Sequence, residues 1–170
     1  MIEIARTYTL EAPQDRVWQL LMDTTALSLC IPGCSGLEPD PDTENRYRIR
    51  LAVKLAAVMG TYDGSVQLVD LTPTQSYGLL AEGHGRPGFV KGKAAIALSS
   101  QADVTTLTVA GEVHTGGAIA RVGQRIITSA ARLMMDRFFK RLKAMAEGRA
   151  ETRAELDADE ASVDEISDAS

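Results

Sequence analysis

The sequence predicts an α+β fold in which a curled antiparallel sheet wraps around one long C-terminal helix. Apolar and polar residues alternate from residue 46 to residue 55, which is the pattern of a strand with one buried face. Similar segments follow at regular intervals to about residue 113, separated by turn residues, as in an antiparallel meander. From residue 117 the apolar spacing changes to that of a helix.

The N-terminal part predicts one strand and two short helices. Residues 2–10 alternate with period two, and Pro13 suits the first turn of a helix that continues to Asp23. A second helix is expected at about residues 24–29, and the Pro32-Gly33 pair must end it. Residues 38–45 form a turn by composition, and glycines at 60 and 64 flank a break before the strand SVQLVDL.

Residues 117 to 146 predict a helix of about 30 residues, which would be about 45 Å long. Its apolar stripe consists of Ile119, Val122, Ile126, Ala130, Leu133, Phe138, Leu142 and Met145. Between them lie Arg121, Arg125, Arg132, Arg137, Lys140, Arg141 and Lys143. This basic series is either a solvated face or a surface that meets anionic lipid headgroups.

Charge divides the chain into a domain at residues 1–146 and an acidic tail at residues 147–170. The formal net charge of the 170 residues is −5, and the tail carries 9 acidic and 2 basic residues, which leaves +2 for the domain. With few apolar residues, the tail is expected to be mostly disordered. Aromatic residues make up only 5% of the chain, which argues against nucleic-acid binding. No long apolar run suggests a membrane span or a signal peptide, so a cytoplasmic location is expected.

A curled sheet and a long helix leave a gap that is the default ligand site. A one-residue slip in a strand would reverse which face lines this gap. The residues expected to line it are Trp18, Tyr47, Ile49, Leu51, Met59, Tyr62, Phe89, Ile96, Val122, Ile126 and Leu133. This apolar set favours binding over catalysis, with Tyr47, Tyr62 and Thr115 as candidate polar contacts.

The stretch CIPGC, residues 30–34, contains both cysteines of the chain. Together with His84 and His114 they form a Cys2His2 set, but the spacing matches no usual zinc site. A disulfide is disfavoured in a reducing compartment, and no neighbouring histidine activates a thiol. We therefore expect a structural turn with two small buried thiols, no catalytic residue and no bound metal.

Two glycine-rich stretches have a structural and a functional interpretation. The stretch GHGRPG, residues 83–88, matches a dinucleotide-binding spacing, but a strand rather than a helix follows it. It is either a plain hairpin or a hairpin that flexes at Phe89 to admit a bulky ligand. The stretch TGG, residues 115–117, is either a strand-to-helix turn or a set of free amides that hold an anion or a carbonyl oxygen.

The order of elements resembles the helix-grip fold of the START-like, Bet v 1-like (SRPBCC) superfamily. Six stretches in sequence resemble the CoxG family of carbon monoxide dehydrogenase accessory proteins over residues 1–146. They are VWQLLMD from residue 17, CIPGC from residue 30, GTYDGSVQL from residue 60, GHGRPGFVKGKAAIAL from residue 83, TGGAIARVGQRII from residue 115 and FF at residue 138.

The resemblance implies an accessory protein of a molybdenum-containing, carbon monoxide dehydrogenase-type hydroxylase. It implies a non-enzymatic role that links this enzyme to the membrane or its quinone pool, with an isoprenoid quinone or another lipid as the guest. Some members carry a C-terminal membrane segment, whereas this tail is acidic and polar. Two alternatives stay open, namely an assembly adaptor that acts through the acidic tail without carrying lipid, and a cyclase or hydrolase on the same fold.

Overall fold

The computed structural model describes the backbone of residues 1–168 and the side chains of residues 1–160 other than Ala56. The strands are β1 (Ile2–Leu10), β2 (Cys34–Pro39), β3 (Arg46–Val53), β4 (Gly60–Thr72), β5 (Ser76–Gly85), β6 (Gly88–Gln101) and β7 (Val104–Gly116). The helices are α1 (Gln14–Leu21), α2 (Thr24–Cys30), α3 (Gln124–Ala146) and α4 (Arg153–Asp168). Two short 3₁₀ helices cover Ala56–Val58 and Gly117–Val122.

All strand pairs are antiparallel, and the strand order β1-β7-β6-β5-β4-β3-β2 puts the first two strands of the chain at opposite edges of the sheet. Residues 11–33, which contain α1 and α2, must therefore pass from one edge to the other. The sheet curls around α3, and the predicted α+β helix-grip fold is confirmed. Strand β2 was not predicted, and β4 runs through Gly64 without the expected break.

Local polar contacts fix the N-terminal helices against the sheet. The side chain of Asp23 accepts hydrogen bonds from the amides of Thr25 and Ala26, which caps α2. The buried hydroxyl of Thr105 on β7 donates to the carbonyl oxygen of Ala12 at 2.7 Å. This bond ties the start of α1 to the sheet, so that its apolar side faces the core.

The main apolar core lies at the end of the sheet that α1 and α2 cover. Its fully buried side chains come from several different elements, and Trp18 meets Tyr77 edge-on there with ring centroids 5.7 Å apart. The largest members with almost no exposure are Leu10, Val17, Leu21, Cys30, Leu107, Leu142 and Leu156. At the opposite end, packing is confined to two small clusters around Ile127 and Tyr62.

The C-terminal helix is shorter than the sequence predicts. Residues 117–122 form a 3₁₀ helix, and Gly123 then adopts φ +98°, so that α3 begins only at Gln124 and contains 23 residues. A 23-residue helix is about 35 Å long rather than the predicted 45 Å. The prediction of one continuous helix was wrong because it treated Gly123 as a tolerated glycine within the helix, whereas its left-handed backbone ends one helix before the next begins.

The acidic segment also differs from the expectation of disorder. Residues 153–168 form α4, and Leu156 on this helix is fully buried in the main core. Thr152 and Glu155 form a reciprocal cap, in which each side chain accepts a hydrogen bond from the backbone amide of the other. The interpretation as a tail without structure overlooked this T-x-x-E signal and the leucine that follows it.

Candidate ligand cavity

A cavity of about 330 Å³ lies between the concave face of the sheet and the first half of α3. This volume is at the lower end of the range of small-molecule sites. Its walls are formed by Ile49, Leu51, Val53, Leu55, Val58, Tyr62, Gly64, Ser65, Val66, Ala81, Glu82, Gly83, Val90, Gly92, Val113, Thr115, Ile119, Ile127, Ala130, Ala131 and Met134. Aliphatic residues dominate this surface, so the cavity suits an apolar guest.

The cavity exists because inward positions of the sheet lack side chains. Strand alternation points Gly83 and Gly92 toward α3, where the facing helix positions are Ala130 and Ala131. A methyl group added at Gly83 or Gly92 would meet nothing closer than 3.8 or 3.6 Å. At the other end of the same strands, larger residues fill the corresponding space as core.

The rim of the cavity joins three segments of the chain. The β5–β6 hairpin turn is fixed to the 3₁₀ helix by a 2.6 Å hydrogen bond from the amide of Ile119 to the carbonyl oxygen of Pro87. Gly88 and Gly117 both adopt positive φ where these segments meet, and a Cβ on Gly117 would lie 2.9 Å from the Cα of Gly88. The GHGRPG stretch is therefore a hairpin whose glycines permit this close approach.

Three of the predicted lining residues, Ile49, Leu51 and Tyr62, lie in the cavity wall. Trp18 and Ile96 belong instead to the main core or its border, and Tyr47 packs against that core. Larger side chains from α1 and α2 occupy that end of the sheet, which is why these positions are not part of the cavity. Whether any of these residues contacts a ligand stays a prediction.

The other five predicted lining residues lie outside the cavity wall. Met59, Ile126 and Leu133 are exposed, by 58, 45 and 38%. Val122 packs against the two small clusters, and the ring of Phe89 lies on the outer face of the sheet over Gly116. These positions fail because the break at Gly123 rotates α3 and because Phe89 points away from the concave face.

The sequence missed the helix positions that do line the cavity. Ile127, Ala131 and Met134 follow the spacing i, i+4, i+7, one residue out of phase with the stripe predicted from Ile126 and Leu133. The 3₁₀ helix before Gly123 has about three residues per turn rather than 3.6, so a single helical wheel cannot describe both segments. The glycine itself was the signal that could have located the change of phase.

The polar candidates differ in their availability. The hydroxyl of Tyr62 donates to the carbonyl oxygen of Val58 at 2.7 Å, and burial raises its pKa. Thr115 lies in the cavity wall, whereas Tyr47 does not. The TGG stretch forms the end of β7 and the start of the 3₁₀ helix, and it turns the chain.

Both cysteines are free, buried thiols that shape the turn between α2 and β2. Gly33 adopts φ +75° between them, and a Cβ there would clash with the carbonyl oxygen of Ala52 at 2.1 Å. His84 and His114 are exposed on the opposite, convex side of the sheet, far from a shared site with the thiols. Within the described residues, no group of three or more His, Cys, Asp or Glu side chains could hold a metal ion.

Fold and cavity together define a START-like helix-grip protein with an apolar pocket between sheet and helix. The family model of the carbon monoxide dehydrogenase CoxG proteins matches residues 7–147. The chain therefore belongs to the CoxG family.

Solved structures place the same fold in several bacteria. A conserved protein from Geobacillus kaustophilus shares 34% identity at a TM-score of 0.83, covering 86% of this chain and 95% of that one. The Zhui aromatase/cyclase from Streptomyces sp. R1128 shares 16% identity at a TM-score of 0.67, covering 88% and 96%.

A START superfamily protein from Mycobacterium smegmatis shares 14% identity at a TM-score of 0.61, covering 85% and 97%. The two more distant structures are similar to this chain in fold alone. A search of curated protein sequences finds no match. Among the helices of the described residues, none is long and apolar enough to cross a bilayer.

Proposed function

We propose that this protein is a non-enzymatic carrier that holds a hydrophobic guest for a carbon monoxide dehydrogenase-type molybdenum hydroxylase. In this role it works in the cytoplasm and links the enzyme to the membrane or its quinone pool, with an isoprenoid quinone or similar lipid as the guest. Family membership supports the accessory role. The observation that carries the proposal is the apolar cavity between the sheet and α3.

The energetics of such a cavity suit a carrier. Transfer of an isoprenoid chain from water would gain about 0.8 kcal/mol per CH₂. A lipid quinone, however, starts in a bilayer whose hydrocarbon is about as apolar as leucine, so transfer to the cavity gains little from the hydrophobic effect. Loading and unloading therefore stay reversible, and selectivity must come from shape and a few polar contacts.

The chemistry of the cavity wall supports binding over a cyclase or hydrolase reaction. Of the titratable side chains that line it, Tyr62 has its hydroxyl bound to Val58. Glu82 alternates to the convex face, where its carboxylate lies 4.0 Å from Arg46. General acid–base catalysis needs groups aimed at the substrate, and alanine substitution of Cys30, Cys34, His84 and His114 would have to abolish turnover if the protein were an enzyme of that kind.

An assembly adaptor that acts through its acidic segment is the alternative role. Asp157, Asp159 and Glu160 of α4 are already paired with arginines of the body of the protein. A partner would have to bind the remaining carboxylates or displace these pairs. Removal of residues 148–170 would then abolish partner capture while lipid binding persists, whereas a carrier retains both functions in its cavity.

A cavity-filling substitution tests the carrier function directly. Gly92→Leu directs an aliphatic side chain into the cavity, since a Cβ at Gly92 meets nothing closer than 3.6 Å. The matched control is Ala95→Leu, which adds the same side chain on the exposed convex face of the same strand. Native mass spectrometry after gentle extraction should show a bound lipid on the wild type and the control, and at least a tenfold loss on Gly92→Leu.

Two outcomes would count against this function or its site. A wild-type protein that carries no lipid after gentle extraction, and takes up none from vesicles, would contradict the carrier function. Equal lipid on a folded Gly92→Leu variant would place the lipid elsewhere. Thermal unfolding of both variants checks that the sheet is intact.

A further inference from the structure

Thr115 lies where the main cavity adjoins a smaller side pocket. This pocket has a volume of about 260 Å³ and shares Val113, Thr115 and Ile127 with the main cavity. Its other walls come from the N-terminus, the outer edge of β7 and the start of α3, namely Met1, Ile2, His114, Ala120 and Gln124. The apolar cavity therefore has a neighbouring compartment with polar walls.

The hydroxyl of Thr115 is available to a ligand. Strand alternation puts Thr115 on the concave face with Val113, and within the described residues its hydroxyl forms no hydrogen bond to the protein. The other hydroxyls of the cavity wall are engaged, because Tyr62 donates to Val58 and Ser65 accepts from Arg46 at 3.4 Å. Gln124 adds a side-chain amide, of which one N–H donates to the carbonyl oxygen of Met1 at 3.0 Å.

The charges of these walls select against an anionic ligand. Among the described residues that line the cavity and the side pocket there is neither lysine nor arginine. His114 lies 3.8 Å from the carboxylate of Glu112, which is an anion beside the only histidine of the pocket. A buried carboxylate or phosphate would therefore lack a cation, whereas a neutral carbonyl needs only one donor.

We propose that the guest is an apolar chain that ends in a neutral, carbonyl-bearing head group, and that the Thr115 hydroxyl donates a hydrogen bond to that carbonyl. The apolar chain occupies the main cavity, and the head lies at its junction with the side pocket near Gln124. This inference rests on the carrier function proposed above and adds the orientation and the chemical class of the guest.

Three probes of equal chain length separate the possible head groups. They are undecane, methyl nonyl ketone and undecanoic acid, whose binding is measured by displacement of the fluorescent probe N-phenylnaphthylamine. We expect the ketone to bind about fivefold more tightly than the alkane, which is the effect of one net hydrogen bond. The ionised acid should bind more weakly than the ketone at neutral pH.

Variants at Thr115 assign the effect to its hydroxyl. Thr115→Val keeps the shape and should remove the fivefold preference for the ketone, while Thr115→Ser keeps the hydroxyl and should retain it. Thr108→Val, on the exposed convex face of the same strand, is the control and should change nothing. Because each comparison is a ratio between two ligands on one protein, a modest loss of stability does not mimic the result.

The outcomes separate this inference from the function on which it rests. If no probe displaces the dye, the carrier function itself is wrong. If all probes bind with one affinity and Thr115→Val binds them unchanged, the cavity stands but the head-group site is overturned. If undecanoic acid binds most tightly, the assignment of a neutral head is overturned.

Discussion

Cys30 and Cys34 show how position within one turn sets the chemistry of a side chain. The thiol of Cys30 is fully buried, 3.5 Å from the sulfur of Met145, and desolvation by burial raises its pKa to about 12. Burial also raises the pKa of Cys34, whose thiol donates to the carbonyl oxygen of Gly36. Both groups are thus neutral at physiological pH and poor nucleophiles.

Alkylation kinetics test this state of the thiols. At pH 8, a pKa of about 12 instead of 9 lowers the thiolate fraction of Cys30 by about a thousandfold, so iodoacetamide should modify it at least that much more slowly in the native protein than in urea. The Cys34→Ala variant isolates Cys30, and Cys30→Ala isolates Cys34, which should react faster. Rapid modification of native Cys30 would contradict its burial.

The same shift has a consequence for stability with a defined sign. The folded state favours the neutral thiol of Cys30, so its contribution is complete below the pKa of the unfolded chain, near 9, and is lost as pH rises toward 12. Wild-type protein should therefore lose free energy of unfolding between pH 9 and 10 more steeply than Cys30→Ala, as measured by urea denaturation. Parallel pH profiles for the two proteins would exclude this contribution.

Among the elements, the strands were easier to predict than α3. A strand alternates with period two, so Ile49, Leu51 and Tyr62 could be assigned to the concave face from local sequence alone. The inner face of α3 depends on Gly123, whose positive φ reflects packing of the preceding 3₁₀ helix against the β5–β6 hairpin. That contact joins residues distant in sequence, and neither composition nor periodicity contains it.

Helix α4 is an element whose position depends on a few specific contacts. The guanidinium of Arg141 on α3 donates to the carboxylates of Glu160 and Asp157 at 2.7 and 2.9 Å and to the carbonyl oxygen of Leu29 at 3.1 Å. Arg153 donates to the carbonyl oxygen of Cys34 at 3.2 Å, and Leu156 supplies the buried apolar contact. The acidic helix is thus held against α2, α3 and the cysteine turn.

Two substitutions separate the ionic and the apolar part of this attachment. Arg141→Ala should increase hydrogen–deuterium exchange of residues 153–160 at least tenfold and leave β5 to β7 unchanged, since the ion pairs that it removes involve only α4. Leu156→Ala should in addition lower the free energy of unfolding by about 2–3 kcal/mol, because it empties a core position. Arg137→Ala, at an exposed arginine of the same helix, is the control.

Unchanged protection of residues 153–160 in Arg141→Ala would show that the ion pairs do not hold α4. Screening by salt gives a second measure, because partly exposed ion pairs weaken as ionic strength rises. Exchange of α4 in the wild type should therefore accelerate in 1 M salt, about threefold or more, while Arg141→Ala shows a smaller response.

At the scale of the whole molecule, charge is separated along α3. The three segments that surround the cavity, residues 51–62, 83–93 and 113–135, contain seven lysines and arginines and no acidic residue, in a chain with 23 acidic residues. Exposed apolar side chains at Met59 and Ile126 belong to the same region. The acidic α4 contacts Arg141, which is 15 residues or about 22 Å further along the helix than Ile126.

This arrangement predicts that the cavity end of the protein faces an anionic bilayer. Each arginine near such a surface contributes about 1 kcal/mol, so replacing Arg121 and Arg125 together by glutamine should weaken binding to phosphatidylserine vesicles about thirtyfold at low salt. The control replaces Arg16 and Arg137 by glutamine, which changes the net charge equally but away from the cavity, and it should bind nearly as the wild type. Vesicle sedimentation measures both. Equal losses in the two variants would mean that only total charge matters, and the proposed orientation, with its direct path from bilayer to cavity, would be wrong.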